Sequence, residues 1–301
     1  MKSGRIKNFL ANTDDLRVAA VPRSLFSNKS DNGRVLIIGG SAEYHGAPIL
    51  ASTSAYNTLA ALRTGAGYAF LYVPQRIQDV ARKLSPSLIV RSFGEENIGQ
   101  GRLEGIKKEI ESCDSLVIGM GIGREKSTLR AAEKLIDYAL SKNKKIVIDA
   151  DAIYAVKYLK RLNKNVVLTP QDREFKELSG KIPERYSEKT RIKAAASLAK
   201  KLNACILLKG HNTVVTDGKR VKIVSSKSSA LATMGTGDVL SGIIGGYMAT
   251  GNDAFTAAVA GAYLHSRIGD LLNKEKGNHI LSSDLLGKIP EVLKKFDKNI
   301  R

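Results

Sequence analysis

The sequence predicts an α/β fold in three layers, a mostly parallel central sheet with helices on both faces. Three observations carry that prediction. Short apolar runs of strand length alternate with longer stretches at helical spacing. The strand-length runs are apolar at nearly every position, as suits strands covered on both faces. Several end in glycine or in a charged residue, where strand gives way to loop. At 301 residues, 43% of them apolar, the chain can bury a large core within one domain.

The elements follow in order. Residues 3–29 read as a peripheral helix or arm. Arg34–Ile38 is the first strand, Gly39-Gly40-Ser41 a turn, and 47–63 an amphipathic helix stopped by Gly65-Ala66-Gly67. Tyr68–Val73 is the next strand, closed by Pro74. This βαβ unit lacks GxGxxG, so a dinucleotide fingerprint is not met. Ser115–Ile118 runs into a glycine loop, Gly119 to Gly123. Lys145 to Ala152 reads as a buried-type strand ending in Asp149 and Asp151, whose spacing puts them on one face if the strand persists that far. The strand at 165–168 leads to a helix starting near Asp172, with Glu174 in its first turn. The strand at 204–208 ends in Lys209-Gly210, and Asp217-Gly218-Lys219 turns a second β-branched run into 220–224.

The most informative stretch is Gly235-Thr236-Gly237-Asp238. Val239, Leu240, Ile243, Ile244 and Tyr247 recur at helical spacing, so a helix opens at or just before Asp238. Amides at a helix N-terminus favour anions, phosphates above all. A carboxylate there is placed to take a proton from an attacking hydroxyl. The same four residues also suit a turn with an aspartate N-cap. Lys209 likewise suits phosphate binding or a solvated strand end, and the carboxylates after 148 and 168 suit a ligand edge or helix capping.

Composition narrows the class. The formal charge is +19, with basic clusters at 107–108, 142–145, 157–164 and 294–295 that read as solvated faces and loops. A positive field gathers polyphosphates. It also suits loose nucleic-acid binding, but aromatics are 6%, tryptophan is absent and no nucleic-acid motif is evident. Specific nucleic-acid binding is therefore not expected. Cys113 and Cys205 lie in apolar, strand-like contexts without CxxC, so reduced buried thiols in a cytoplasmic protein are expected. The apolar stretches 239–249 and 254–264 are too short to span a bilayer, and the N-terminus has no signal-peptide pattern. The histidines show no metal-ligand spacing.

Taken together, the ordered motifs resemble the ADP/ATP-dependent NAD(P)H-hydrate dehydratases, a branch of the ribokinase-like superfamily. They are Gly33-Arg34-Val35 through Gly39-Gly40, His45-Gly46-Ala47-Pro48, Ala61 to Gly67, Gly119 to Gly123, Asp149-Ala150-Asp151-Ala152, Leu168-Thr169-Pro170, Glu174, Lys209-Gly210 with Thr213, and Gly235 to Leu240. The resemblance spans residues 33–290. It implies a ribokinase-like αβα sandwich over 33–301 as a single catalytic domain, with 1–32 as an arm. It further implies repair of hydrated NADH and NADPH (NADHX and NADPHX), by phosphorylation of the ring hydroxyl with ADP or ATP and loss of phosphate. Many relatives carry a fused epimerase domain, which is not expected in a chain with so little before Gly33.

The resemblance also implies roles. Asp238 matches the catalytic aspartate, and Lys209, Gly210, His211, Asn212 and Thr213 match the nucleotide loop. Gly235, Thr236 and Gly237 lie beside the nucleotide's phosphates. Ala47, Gly121, Gly123, Gln171 and Asp238 match positions lining the hydrated dinucleotide. Glu174 matches the residue that helps organise magnesium (Mg2+). A homo-tetramer is the common assembly, and no membrane partner is implied. This chain departs from the family pattern in three places. Gln171 stands where His is usual, Asp172 and Arg173 where Pro and Gly are, and Met120 where Pro is. Gln171 can donate and accept hydrogen bonds but cannot become cationic. The competing enzyme reading is another ribokinase-like kinase acting on a small vitamin alcohol, which would share Asp238 and its role.

Overall fold

The computed structural model describes residues 9–41, 56–94, 97–99, 103–184 and 187–300. The first elements are α1 (Thr13–Ala19), β1 (Arg23–Ser24) and β2 (Arg34–Ile38), then α2, described over 56–63. Next come β3 (Tyr68–Val73), α3 (Gln75–Leu84), β4 (Ile89–Ser92), α4 (Leu103–Ser112) and β5 (Ser115–Ile118). The middle holds α5 (Lys126–Ser141), β6 (Lys145–Ile148), a 3₁₀ helix (Ala150–Tyr158), β7 (Val166–Leu168), α6 (Asp172–Ser179) and α7 (Glu188–Leu202). The chain closes with β8 (Cys205–Leu208), β9 (Asn212–Thr216), β10 (Val221–Ser225), α8 (Thr236–Ala249), α9 (Ala254–Lys276), α10 (Ser282–Leu293) and β11 (Asn299–Ile300).

Among the described residues nine strands form the main sheet in the order β4-β3-β2-β5-β6-β7-β8-β9-β10. All neighbours from β4 to β8 are parallel. Only β9 runs against its neighbours, because a short link joins it to β8 and a tight turn to β10. Side chains alternate across the strands and separate two cores. Val35, Ile37, Val117, Val147, Val167 and Leu207 meet α8 and α9 on one face. Leu36, Ile38, Leu116, Ile118, Ile146 and Leu168 meet α4, α5, α6 and α7 on the other.

The chain moves outward from β2 to β3 and β4, then returns to place β5 on the other side of β2. That reversal leaves a crevice at the carboxyl ends of β2 and β5, where ligands of open α/β sheets bind. The loops bordering it are tied by the Gly40 amide donating to Met120 O at 2.8 Å.

α8 carries its N-terminus to the same edge, and its packing explains its composition. It is apolar all round because it is buried all round, between the sheet, α2 and α9. A Cβ on Gly242 would stand 2.1 Å from Asn57 O of α2, and one on Gly246 2.8 Å from Ala61 O. One on Gly245 would meet Val117 of β5 at 2.4 Å. Each glycine costs about 1 kcal/mol of helix propensity, and close backbone packing on two sides is what it permits.

The N-terminal residues are built into this body. Leu16 and Ala19 of α1 are each 1% exposed in the core that α9 shares. Asp15 pairs with Lys222, and the Ala11 amide donates to Ile223 O at 2.8 Å, laying the arm along β10. β1 pairs with β11 in parallel.

Three sequence readings need amendment. The helix expected over 47–63 is described only from 56, and Ala47 lies outside the described residues together with His45, Gly46 and Pro48. Cys113 follows the end of α4 rather than sitting in a strand, although it and Cys205 are both free and buried. Asp149 and Asp151 do not share a strand face, because β6 stops at Ile148. Among the described residues no helix is long and apolar enough to cross a membrane.

The α8 packing makes opposite predictions for two helical glycines. Gly242→Ala should destabilise by about 1–3 kcal/mol through overpacking, despite alanine's better propensity. Gly105→Ala in α4, where a Cβ meets nothing within 4 Å, should stabilise by roughly 0.5–1 kcal/mol. Denaturant melts of both variants check the pair of signs.

Candidate active site

The ends of β6, β7 and β8 meet the start of α8 around a cleft of about 1110 Å³. Asp149 follows β6, Gln171 precedes α6, whose first turn carries Asp172 to Glu174, and Lys209 to His211 link β8 to β9, which opens with Asn212 and Thr213. Gly235 to Asp238 and, from α9, His265 complete the wall. Gly121 and Gly123 lie in the loop after β5, at the neighbouring crevice.

The turn after β6 separates its two carboxylates. Ala150 adopts φ 46°, in the left-handed region, and swings the chain out of the strand into the 3₁₀ helix. Asp151 then serves the glycine loop, accepting from the Gly123 amide at 3.2 Å and from Arg124 Nε at 2.7 Å. Gly119 must be glycine here: its φ is +133°, and a Cβ would lie 1.9 Å from Asp149 O.

Asp149 turns inward. Its Oδ1 accepts from Lys209 Nζ at 2.9 Å, and its Oδ2 accepts from the Ser241 hydroxyl, one turn beyond Asp238 on α8. One buried carboxylate thus joins β6, β8 and α8. Burial alone would raise the Asp149 carboxyl, but the Lys209 ammonium and the Ser241 hydroxyl hold it below the ordinary range. Burial opposes the charge on Lys209 too, and Asp149, Glu174 and Asp238 raise its pKa and keep it cationic.

Arg191 of α7, 3% exposed, holds the strand end that carries Lys209. It donates to Lys209 O at 2.8 Å and pairs with Asp172 at 2.6 Å. A Cβ on Gly210 would come within 2.8 Å of this guanidinium.

Asp238 sits in the first turn of α8, after Gly235 at φ 85°. Burial and the charge of Asp149 push its carboxyl up to about 7, with Lys209 opposing. A carboxyl poised there can take a proton near neutrality. Among the described residues the Gly237 and Asp238 amides have no acceptor within the protein, as the first amides of a helix do not. A Cβ on Gly237 would lie 3.8 Å from Lys209 Nζ, so ammonium and amides face one small volume. Such a volume suits a phosphate group.

Glu174 lies 9% exposed, with burial pushing its carboxyl up and Lys209 pulling it down. Its Oε2 accepts from the Gln171 amide at 2.7 Å, leaving one oxygen for other work. Among the described residues no group of three His, Cys, Asp or Glu could cage a metal. A single carboxylate oxygen beside a phosphate volume fits magnesium, which keeps waters and takes phosphate oxygens as ligands.

A family model described as NAD(P)H-hydrate dehydratase matches residues 35–291. The chain belongs to the NAD(P)H-hydrate dehydratase family. The ADP-dependent (S)-NAD(P)H-hydrate dehydratase of Nitrosopumilus maritimus is 35% identical over 274 residues, covering 90% of this chain and 92% of that one. The chain spans about half the length of bifunctional NAD(P)H-hydrate repair enzymes that it also matches. A ribokinase-like superfamily protein of Enterococcus faecalis superposes with a TM-score of 0.80 at 26% identity, over 95% of each chain. An ADP/ATP-dependent NAD(P)H-hydrate dehydratase of Bacillus subtilis, co-crystallised with ATP and Mg2+, superposes at 0.77 and 24% identity. That match covers 95% of this chain and 98% of the other. The fold is ribokinase-like.

In this dehydratase-family chain, the sequence motifs for nucleotide loop, glycine turn and acidic helix start fall on one cleft. Sequence reading missed Arg191, Ser241 and His265. Ser241 carried a signal, three residues after Asp238 on a helix and therefore on its face. Arg191 and His265 carried none, because each reaches the site from a helix distant in sequence.

The raised Asp238 carboxyl has a stability consequence. Its folded pKa, about 7, lies above the ordinary carboxylate value, so the folded state binds the extra proton between them. That contribution is complete below about pH 4 and is lost as pH rises through about 7. Asp238→Asn should therefore unfold at higher denaturant than wild type at pH 8, by at least about 1 kcal/mol. The difference should vanish near pH 4, as melts at the two pH values would record.

Proposed function

We propose that this chain restores NADHX and NADPHX to NADH and NADPH, using ADP or ATP. The nucleotide's adenosine end lies along the link 209–213 and its phosphates against Lys209 and the amides of Gly237 and Asp238. The hydrated nicotinamide lies toward Gln171 and the Gly121–Gly123 loop; for Ala47 the substrate role rests on the family resemblance alone. Residues 33–301 act as one catalytic domain with 1–32 as an arm.

The observation that carries the reading is Asp238, a carboxyl at about 7 beside two unused amides and the partly buried Lys209 ammonium. It takes the proton of the ring hydroxyl as that oxygen attacks the terminal phosphorus, and the bond to the departing nucleotide breaks. Lys209 and the α8 amides stabilise the charge on the moving phosphoryl group. The ring nitrogen's lone pair then expels phosphate, and loss of a neighbouring carbon-bound proton restores the dihydronicotinamide. Glu174 would hold a magnesium ion, which supplies further charge neutralisation at the phosphates.

Purified protein with magnesium, ADP or ATP and hydrated NADH should regain dihydronicotinamide absorbance. Its kcat should rise with pH through about 7 and level off above, since the base must be ionised. Asp238→Asn should lower turnover by about 10²–10⁴ while still binding nucleotide. Phosphorylation of a small vitamin alcohol without conversion of hydrated NADH would replace this reading with the kinase one.

A further inference from the structure

His265 is buried beside the phosphate-binding turn, yet the mechanism above gives it no task. It belongs to a stripe of α9 that backs the cleft. Ala262 and His265 line the cavity, Ser266 Oγ donates to Ser225 O at 3.2 Å, and Leu231 lies over Gly269. Ala262, His265, Ser266 and Gly269 follow the i, i+3, i+4, i+7 spacing that shares one helix face. Within that stripe His265 makes the polar contact to α8: its Nε2 lies 2.8 Å from Thr236 O. A carbonyl only accepts, so Nε2 carries the proton and donates. Burial pushes the imidazole pKa down to about 4, with Lys209 acting the same way, so the ring stays neutral around pH 7.

The partner carbonyl is what makes this contact informative. Thr236 C=O and the Gly237 N–H belong to one planar trans peptide, so they point in opposite directions. Holding Thr236 O against His265 fixes the plane of that peptide, and its Gly237 N–H points the opposite way, from a residue whose Cβ position lies 3.8 Å from Lys209 Nζ. That N–H is one of the two amides without an acceptor among the described residues. Gly237 has no side chain to restrict its backbone, so this contact adds to the constraint that the first turn of α8 supplies. The single proton of the Thr236 hydroxyl is shared between Leu231 O at 2.8 Å and Thr233 O at 2.9 Å, so the turn is braced on its other side as well.

We propose that His265 is a positioning residue for nucleotide phosphates, its hydrogen bond to Thr236 O fixing the peptide whose N–H meets the phosphate. It rests on the nucleotide-dependent reading given above and assigns no proton transfer to the histidine. A preset amide matters more than its bond strength suggests, because an oriented dipole needs no reorganisation when the charged group arrives.

The test compares ADP with adenosine, which shares the nucleoside but lacks phosphate, by titration calorimetry with magnesium. His265→Ala should weaken ADP by roughly three- to tenfold, the range of one neutral hydrogen bond, and leave adenosine affinity unchanged. His265→Gln, whose amide can donate from a similar place, should restore much of the difference. Equal weakening of both ligands, or unchanged ADP affinity, would overturn the proposal. A measurement on wild type guards against misfolded variants: ¹⁵N-histidine spectra should show His265 neutral with the proton on Nε2. The proton on Nδ1 would sink the idea. Should wild type bind ADP and show the His265 pattern but fail to convert hydrated NADH, the enzymatic reading falls and this one stands. No binding of ADP by wild type removes both.

Discussion

The buried contact between Lys209 and Asp149 is the constraint on which the cleft depends. It joins two strands of the sheet and, through Ser241, the first turns of α8. Such a pair is a poor source of stability, because removing two charges from water costs about as much as their attraction returns. Its value lies in what it does to its neighbours. The carboxylate keeps Lys209 charged in a place where burial opposes charge, and pushes Asp238 toward neutrality. One ion pair therefore sets a permanent cation and a titratable base side by side.

That arrangement needs α8 to arrive at a defined depth and angle. The helix is held by backbone contact on the α2 side and by the sheet through Val117, which only glycine at 242, 245 and 246 permits. Well-packed interiors resist small displacements. The glycines are thus part of the electrostatics, since they decide how close the helix's N-terminal amides come to the ends of β6 and β8.

Much of the fold was legible because parallel strands buried on both faces leave near-continuous apolar runs. Arg34–Ile38 and Tyr68–Val73 were readable to the residue, and the strands opening at Ser115 and Lys145 at their starts. The glycine turn before Asp238 was legible for a similar reason, since its chemistry is local. What escaped was decided by one dihedral or by distant contact. A left-handed Ala150 sends Asp149 and Asp151 to different partners, and alanine gives no warning of that conformation. Arg191 looks like any helix arginine until the structure lays it against Lys209 O. His265 sits in an apolar helix where a satisfied core histidine is the ordinary expectation. The joining of remote segments was the illegible part.

The N-terminal arm has a consequence beyond packing. Among the described residues the open sheet runs from β4 to β10, and a sheet edge left uncovered invites a strand from another molecule. At one end β4 is four residues long and carries Arg91, which discourages such pairing. At the other end β10 has the β-branched residues Val221, Ile223 and Val224, a composition prone to intermolecular association. The bridge between Leu10 and Ile223, with the Ala11 amide on Ile223 O, occupies that edge from within the same chain. A few residues of arm thus act as a guard against aggregation, and a chain trimmed of them would be threatened first through precipitation.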